Sequence, residues 1–187
     1  MGNVLREENL CFNFDENTFL RKPEKFDVKN PTGMMGVDFI AETEENQYFI
    51  EVKDFQNPNS TDERRRVDLE MLKAAIKDKT NLPEQGDGAF VAKGAVFTLK
   101  IAQKIKDSLL RKYALGGNFN KNVIYLVVIN LDSFGTHEFK RLKEKISGHI
   151  PTGLNGAEFT YFSNISFDLV NIDQLESYGI ICSKIHK

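Results

Sequence analysis

Val37-Asp38-Phe39-Ile40, followed by Tyr48-Phe49-Ile50-Glu51-Val52-Lys53, sets one acid inside each of two apolar, strand-like runs. An ionised side chain is expensive in such surroundings unless it binds something. If residues 36 to 41 and 48 to 53 are antiparallel strands, a turn centred between Glu44 and Glu45 predicts a register in which partner numbers sum to 89. Asp38 then faces Glu51 directly, with Cβ atoms about 4.5–5.5 Å apart. Like charges so opposed destabilise a sheet; a divalent cation reverses the sign of their interaction, and hard oxygen ligands suit Mg²⁺. The two-residue period puts Lys53 on the face of Glu51 and sends Ile50 and Val52 to the other. One face is expected to carry acid, acid and amine, and the other to be core. A slip of one residue would set Asp38 opposite Val52, and Thr43-Glu44-Glu45-Asn46 lacks the Asn-Gly or Asp-Gly that pins a two-residue loop.

Asp38, with Glu51-Val52-Lys53 on the next strand, resembles the PD-(D/E)XK nuclease superfamily, the restriction-endonuclease-like fold. The wording of both runs, extended through Asp54-Phe55, is similar to that of small uncharacterised bacterial members. The resemblance covers about twenty residues closely and the rest only by order of elements; Gly36-Val37 stands where the motif name has Pro. It implies a mixed β-sheet flanked by helices and a Mg²⁺-dependent (or Mn²⁺-dependent) endonuclease. Asp38, Glu51 and the Val52 carbonyl would be metal ligands, and Lys53 the amine that positions or activates the attacking water. It also implies an upstream Glu at the metal, with Glu7, Glu8, Glu16 and Glu24 all candidates. A Gln, Lys or Arg from the helix after the Glu-x-Lys strand would meet the substrate phosphate, a role open to Lys104 or Lys106.

Each residue type has its own reason. Phosphodiester hydrolysis must stabilise an attacking oxygen, a leaving oxygen and a highly charged centre between them, which carboxylate-held metal ions can do. Neighbouring cations and desolvation lower an ammonium pKa, so Lys53 beside metal could share a proton. The contrary reading of the same residues is a solvated strand face, with Glu51 and Lys53 in ordinary alternation.

A chain of 187 residues has room for one domain with a proper core, read here as 1–187, and its composition is that of a globular protein (41% hydrophobic, mean hydropathy −0.38). The longest apolar run, Val123 to Leu131, is too short to cross a bilayer, and the N-terminus lacks the apolar stretch of a signal peptide, so a cytoplasmic protein without membrane contact is expected. Cys11 and Cys182 read as free thiols, and three scattered His exclude a zinc pattern. A net charge of −2 offers no global attraction to nucleic acid, so any DNA-binding surface must be local.

Leu10 to Phe14 alternates as a strand. Ser60 and Glu63 stand at capping-box spacing before a helix expected to bury Val67, Met71, Ala74, Ala75 and Asp78, widened by Leu69, Leu72 and Ile76. Arg64-Arg65-Arg66 in its first turn is either a phosphate patch, with Arg64 its candidate, or a solvated balance to nearby acids. Phe97, Ile101, Ile105, Leu109 and Tyr113 predict a helix over about 90–113. Val123 to Leu131 is a buried strand beside the catalytic ones, ended by Asp132 as the cap of a helix over 135–148. Residues 159–162 and 167–172 read as strands, with a short helix capped by Asp173 after them.

These elements predict an α/β fold. The leading functional expectation is a phosphodiesterase acting on DNA, dimeric if it cuts both strands. A nuclease-like fold that serves as an inactive binding or regulatory module is the alternative. Use of the two carboxylates as glycosidase acid and base is disfavoured by Lys53 and by the lack of Trp.

Overall fold

The structure is a computed structural model that describes residues 3–22, 35–56, 63–76, 88–114, 121–150 and 165–185. The elements are β1 (Asn3–Glu7), β2 (Leu10–Phe14), β3 (Phe19–Arg21), β4 (Phe39–Glu42), β5 (Asn46–Asp54), α1 (Glu63–Ile76), α2 (Gly88–Ala114), β6 (Asn122–Asn130), α3 (Thr136–Ser147), β7 (Ile165–Val170), a 3-10 helix (Ile172–Tyr178) and β8 (Ile181–Lys184). Five strands form a mixed sheet in the order β3-β4-β5-β6-β7, and three form a second sheet, β1-β2-β8. The chain is thus mixed α/β.

Strands β3, β4 and β5 are antiparallel neighbours, whereas β5, β6 and β7 run parallel. Parallel neighbours need crossovers, and α1 with α2, then α3, supply them. Apolar side chains on both faces explain why β5 and β6 lie inside the sheet rather than at its edge. On one face Phe49, Tyr125, Val127 and Ile129 meet Leu72, Phe97, Ile101, Ile105 and Leu142 of the helices. On the other, Phe39, Tyr48, Ile50, Leu126 and Val128 meet Leu5, Leu10, Phe12 and Phe14 of the small sheet. Phe12 and Phe39 are fully buried and meet edge to face at 5.1 Å. Each such ring contributes about 1.5–3 kcal/mol by burial.

The hairpin register sums to 89, as the turn at Glu44-Glu45 predicts: Phe39 pairs with Ile50, Ile40 with Phe49, Ala41 with Tyr48 and Glu42 with Gln47. The expected polar face is not open, however, since helices cover the face of Glu51 as fully as the small sheet covers that of Ile50 and Val52.

Other expectations are corrected by packing. Val67 is 39% exposed, because α1 turns Leu72, Ala74 and Ala75 inward. Gly94 of α2 makes that approach possible: a Cβ there would lie 2.8 Å from the Ala74 carbonyl carbon and the Ala75 nitrogen. Gly135 precedes α3 without any side-chain cap, so Asp132 is not its cap. Asn171, not Asp173, caps the 3-10 helix, in a capping box with Gln174. Strands β1, β3 and β8 carry no pattern that the sequence analysis reads. Ser60, Asp78 and the strand expected over 159–162 lie outside the described residues. Cys11 and Cys182 are free and half-buried, as expected. Among the described residues no helix is long and apolar enough to cross a membrane.

Candidate active site

Asp38 leaves the ladder. The Thr43 N–H bonds the Asn46 carbonyl, so the odd-numbered positions form the hydrogen-bonded pairs and a continued register would turn the Asp38 N–H away from β5; instead it donates to the Ile50 carbonyl at 3.0 Å. Val37 joins Ile40 in the helix-side core, although simple alternation would turn it the other way, which is the parity break of a bulged strand. Freed from regular pairing, the Asp38 side chain does what a strand carbonyl would have done: Oδ2 accepts the Val52 N–H at 2.7 Å. A strand residue directs its N–H and C=O to the same side, so the Val52 carbonyl also faces Asp38. The approach to Asp38 is fixed by α2, where Asp107 Oδ2 accepts the Met35 N–H at 2.8 Å and Ser108 Oγ the Val37 N–H at 3.1 Å.

Glu51 projects from the middle of the sheet under α2 and is 1% exposed. Lys104 of α2 joins the two acids, with Nζ 2.6 Å from Glu51 Oε1 and 3.8 Å from Asp38 Oδ1. Lys53 Nζ lies 3.2 Å from the same Glu51 oxygen and 3.4 Å from Asp68 Oδ2 of α1. Lys100, one turn before Lys104, reaches Asp68 Oδ1 at 3.6 Å. The other Glu51 oxygen, Oε2, is buried and accepts no hydrogen bond from the described residues.

Burial holds the Glu51 carboxyl above the ordinary range, and the Asp38 charge adds to this against the pull of Lys53 and Lys104. Burial also works against the Lys53 ammonium, but Glu51, Asp68 and Asp38 together outweigh it and raise its pKa. Without metal, then, Lys53 is held charged among these acids; the lowering expected for it concerns Lys53 beside bound metal.

Sequence reasoning missed Asp68, which helix packing alone brings in, and could not choose among the upstream acids. Of these acids Glu8 is the one that feels the charges of Asp38 and Lys53, but among the described residues it forms no group of three metal-holding acids with Asp38 and Glu51. It occupies the β1–β2 turn with φ 57°, a left-handed conformation uncommon for a non-glycine residue. Its carboxylate meets Arg65 of α1 at 3.1 Å. Burial pushes Glu8 up to about 7, against the opposing Arg65 charge and with the help of Asp54 and Asp38. Glu7 instead pairs with Lys22 at 2.8 Å, Glu16 is exposed, and Glu24 lies outside the described residues. Of the candidate phosphate contacts, Lys104 is in the cluster, Lys106 is exposed on another side of α2, and Arg64 is exposed while its neighbour Arg65 turns toward the cluster.

Two neighbouring acids, one with an unfilled oxygen, suit a divalent ion. Among the described residues Oε2 of Glu51 is an orphaned buried acceptor, and Oδ1 of Asp38 has only the Lys104 ammonium near it, beyond hydrogen-bond range. Mg²⁺ characteristically binds through one or two carboxylates and keeps several waters. Among the described residues no group of three or more His, Cys, Asp or Glu is arranged to hold a metal, so the donor set is this pair and backbone oxygen.

A cavity of about 410 Å³ opens at the same end of the sheet, lined in part by Ile129, Asn130, Asp132, Asn171, Asp173 and Lys184. Ile129 is the register partner of Lys53, and Asn130 donates to Asp54 Oδ1 at 2.8 Å. Carboxyl ends of parallel strands are where open α/β sheets bind ligands. Compared with known proteins, this chain matches no family model, no curated protein and no solved structure.

Proposed function

We propose that the protein is a Mg²⁺-dependent phosphodiesterase of the restriction-endonuclease-like type, acting on DNA, with Asp38 and Glu51 as metal ligands and Lys53 as the catalytic amine. The observation that carries this reading is Glu51: a fully buried acid beside a second acid, with one oxygen left unfilled. A protein keeps so costly a group in its core when the group binds or reacts.

When bound, the metal would supply the positive charge that steadies the attacking and leaving oxygens. Asp38 is aimed by the Val52 amide, Glu51 by the β5 backbone, and Lys53 is kept protonated by Glu51 and Asp68. A charged Lys53 can donate hydrogen bonds to the water and to a phosphate oxygen. The mixed sheet and its helical crossovers are compatible with an α/β fold of this kind.

Incubation with plasmid, linear duplex, single-stranded DNA and RNA, in Mg²⁺, Mn²⁺ or chelator, tests the proposal. Metal-dependent cleavage that disappears in Asp38→Ala and Glu51→Ala is expected. Cleavage that survives in both variants would sink it.

One observation favours the second reading, a nuclease-like fold retained as a binding or regulatory module. Lys104 already neutralises part of the acid pair without any metal. A protein that takes up neither Mg²⁺ nor Mn²⁺ in calorimetry yet binds nucleic acid or protein would have this role.

A further inference from the structure

We propose that Lys104 is a displaceable internal cation: it holds the place between Asp38 and Glu51 that a divalent ion would take, and the ion enters by driving it out. The inference rests on the metal-binding reading of the acid pair and adds a positioning residue that sets how tightly the pair binds metal.

Charge balance leads to it. Asp38, Glu51 and Asp68 face Lys53, Lys100 and Lys104, three acids against three ammonium groups. A divalent ion added to this set with every ammonium in place would leave two uncompensated positive charges around a carboxylate that is 2% exposed. Excess charge is poorly tolerated there. One ammonium must leave.

Geometry selects Lys104. Its Nζ is the cation that touches both acids, at 2.6 and 3.8 Å. Lys53 is shared with Asp68, so withdrawing it would also leave that acid to the longer, more exposed Lys100 contact at 3.6 Å. Lys104 has no such second obligation among the described ion pairs, and its flexible four-carbon stem starts from a helix above the sheet rather than from the sheet itself. Once displaced, its flexible stem lets the ammonium move out to solvent, from which the negative charge of an incoming phosphate would draw it back to the site. The same side chain would thus guard the acid pair without metal and contact the substrate with it. Lys106, exposed on the same helix, has no part in the exchange.

The test is Mn²⁺ titration calorimetry on the full chain carrying Lys104→Met, Lys104→Gln or Lys106→Met, alongside thermal unfolding without metal. Removal of a competing cation should tighten Mn²⁺ binding by roughly tenfold or more in both Lys104 variants, within the usual range of coupling between two sites. Lys106→Met should match the wild type. Without metal the Lys104 variants should melt earlier, and saturating Mn²⁺ should close most of that gap. Equal or weaker Mn²⁺ binding in the Lys104 variants, with the wild type still binding, overturns this inference and leaves the metal site standing. No binding by any of the proteins overturns both. Should the variants misfold, the wild-type Lys104 ammonium ¹⁵N resonance decides: it should shift on Mg²⁺ addition, and an unmoved resonance in a metal-bound protein refutes displacement.

Discussion

Asp38 accepts the backbone N–H of Val52 at 2.7 Å, so one member of the acid pair is oriented by the strand that carries the other. Only one Asp38 oxygen is needed for that bond, which separates structural from functional loss. Asp38→Asn keeps an acceptor for the amide and should cost less than about 1 kcal/mol of stability, while removing the charge a metal needs. Asp38→Ala loses a charge-assisted bond worth about 1.5–3 kcal/mol. Urea unfolding with Mn²⁺ calorimetry tests this: near-normal stability with lost metal binding in Asp38→Asn is expected. Retained metal affinity in that variant would remove Asp38 from the ligand set.

Glu8 gives the protein a pH-dependent stability of defined sign. Its folded pKa stands near 7 against an ordinary 4.5, so between these values the native state holds a proton that the unfolded chain has lost. Stability must therefore fall as pH rises through this window and level off above it. With the side chain 22% exposed, screening discounts the effect to roughly 2 kcal/mol. Glu8→Gln should flatten the decline, read as the difference between the two proteins' urea midpoints across the window. Parallel profiles would show that Glu8 titrates normally.

The legible part of the sequence was the part decided by local periodicity. The 89 register followed from a turn centred between Glu44 and Glu45 within one short segment, and α2 from apolar residues every fourth position. What local pattern could not reveal was set by distant neighbours. Val67 has the right spacing for the core, but the Gly94 contact rotates α1 to favour Ala74 and Ala75. Strand β8 is a four-residue edge strand with only Cys182 turned to the core, too faint a pattern to read. Asp38 stands out in the sequence as an acid in an apolar run, but its break from the ladder depends on Asp107 and Ser108, some seventy residues away in sequence. Asp68 and Glu8 carry no local signal, and only tertiary packing brings them to Lys53.

Gly94 links that packing to the site. A Cβ at this position meets backbone atoms of α1 at 2.8 Å, and backbone cannot rotate aside as a side chain can. Gly94→Ala should therefore destabilise the protein by about 1–3 kcal/mol despite better helix propensity, the usual cost of overpacking. It should also push α1 outward, loosening Asp68 from Lys53 and Lys100. Urea unfolding reads the first effect. A lowered pKa of Lys53, followed by ¹⁵N titration, reads the second. A variant as stable as wild type would mean that the two helices pack less tightly than the structure has them.

Lys53 offers the sharpest division of roles. Its acid neighbours raise rather than lower its pKa, so without metal it is a poor proton acceptor and a good hydrogen-bond donor. Its contribution is then charge and orientation, unless metal on Asp38 and Glu51 cancels the acids that hold its proton. Lys53→Met should reduce cleavage by roughly 10²–10⁴-fold, as for the loss of a positioned proton-transfer or donor group. Metal uptake should survive, because the ligand oxygens remain. Lys53→Arg discriminates further, since a guanidinium donates hydrogen bonds but does not give up a proton at any accessible pH. Partial recovery by Arg is expected if charge and donation are the role; no recovery, together with a pH–rate profile whose basic limb is absent from the Arg variant, would assign Lys53 to proton transfer. Wild-type cleavage by Lys53→Met would remove it from the reaction altogether.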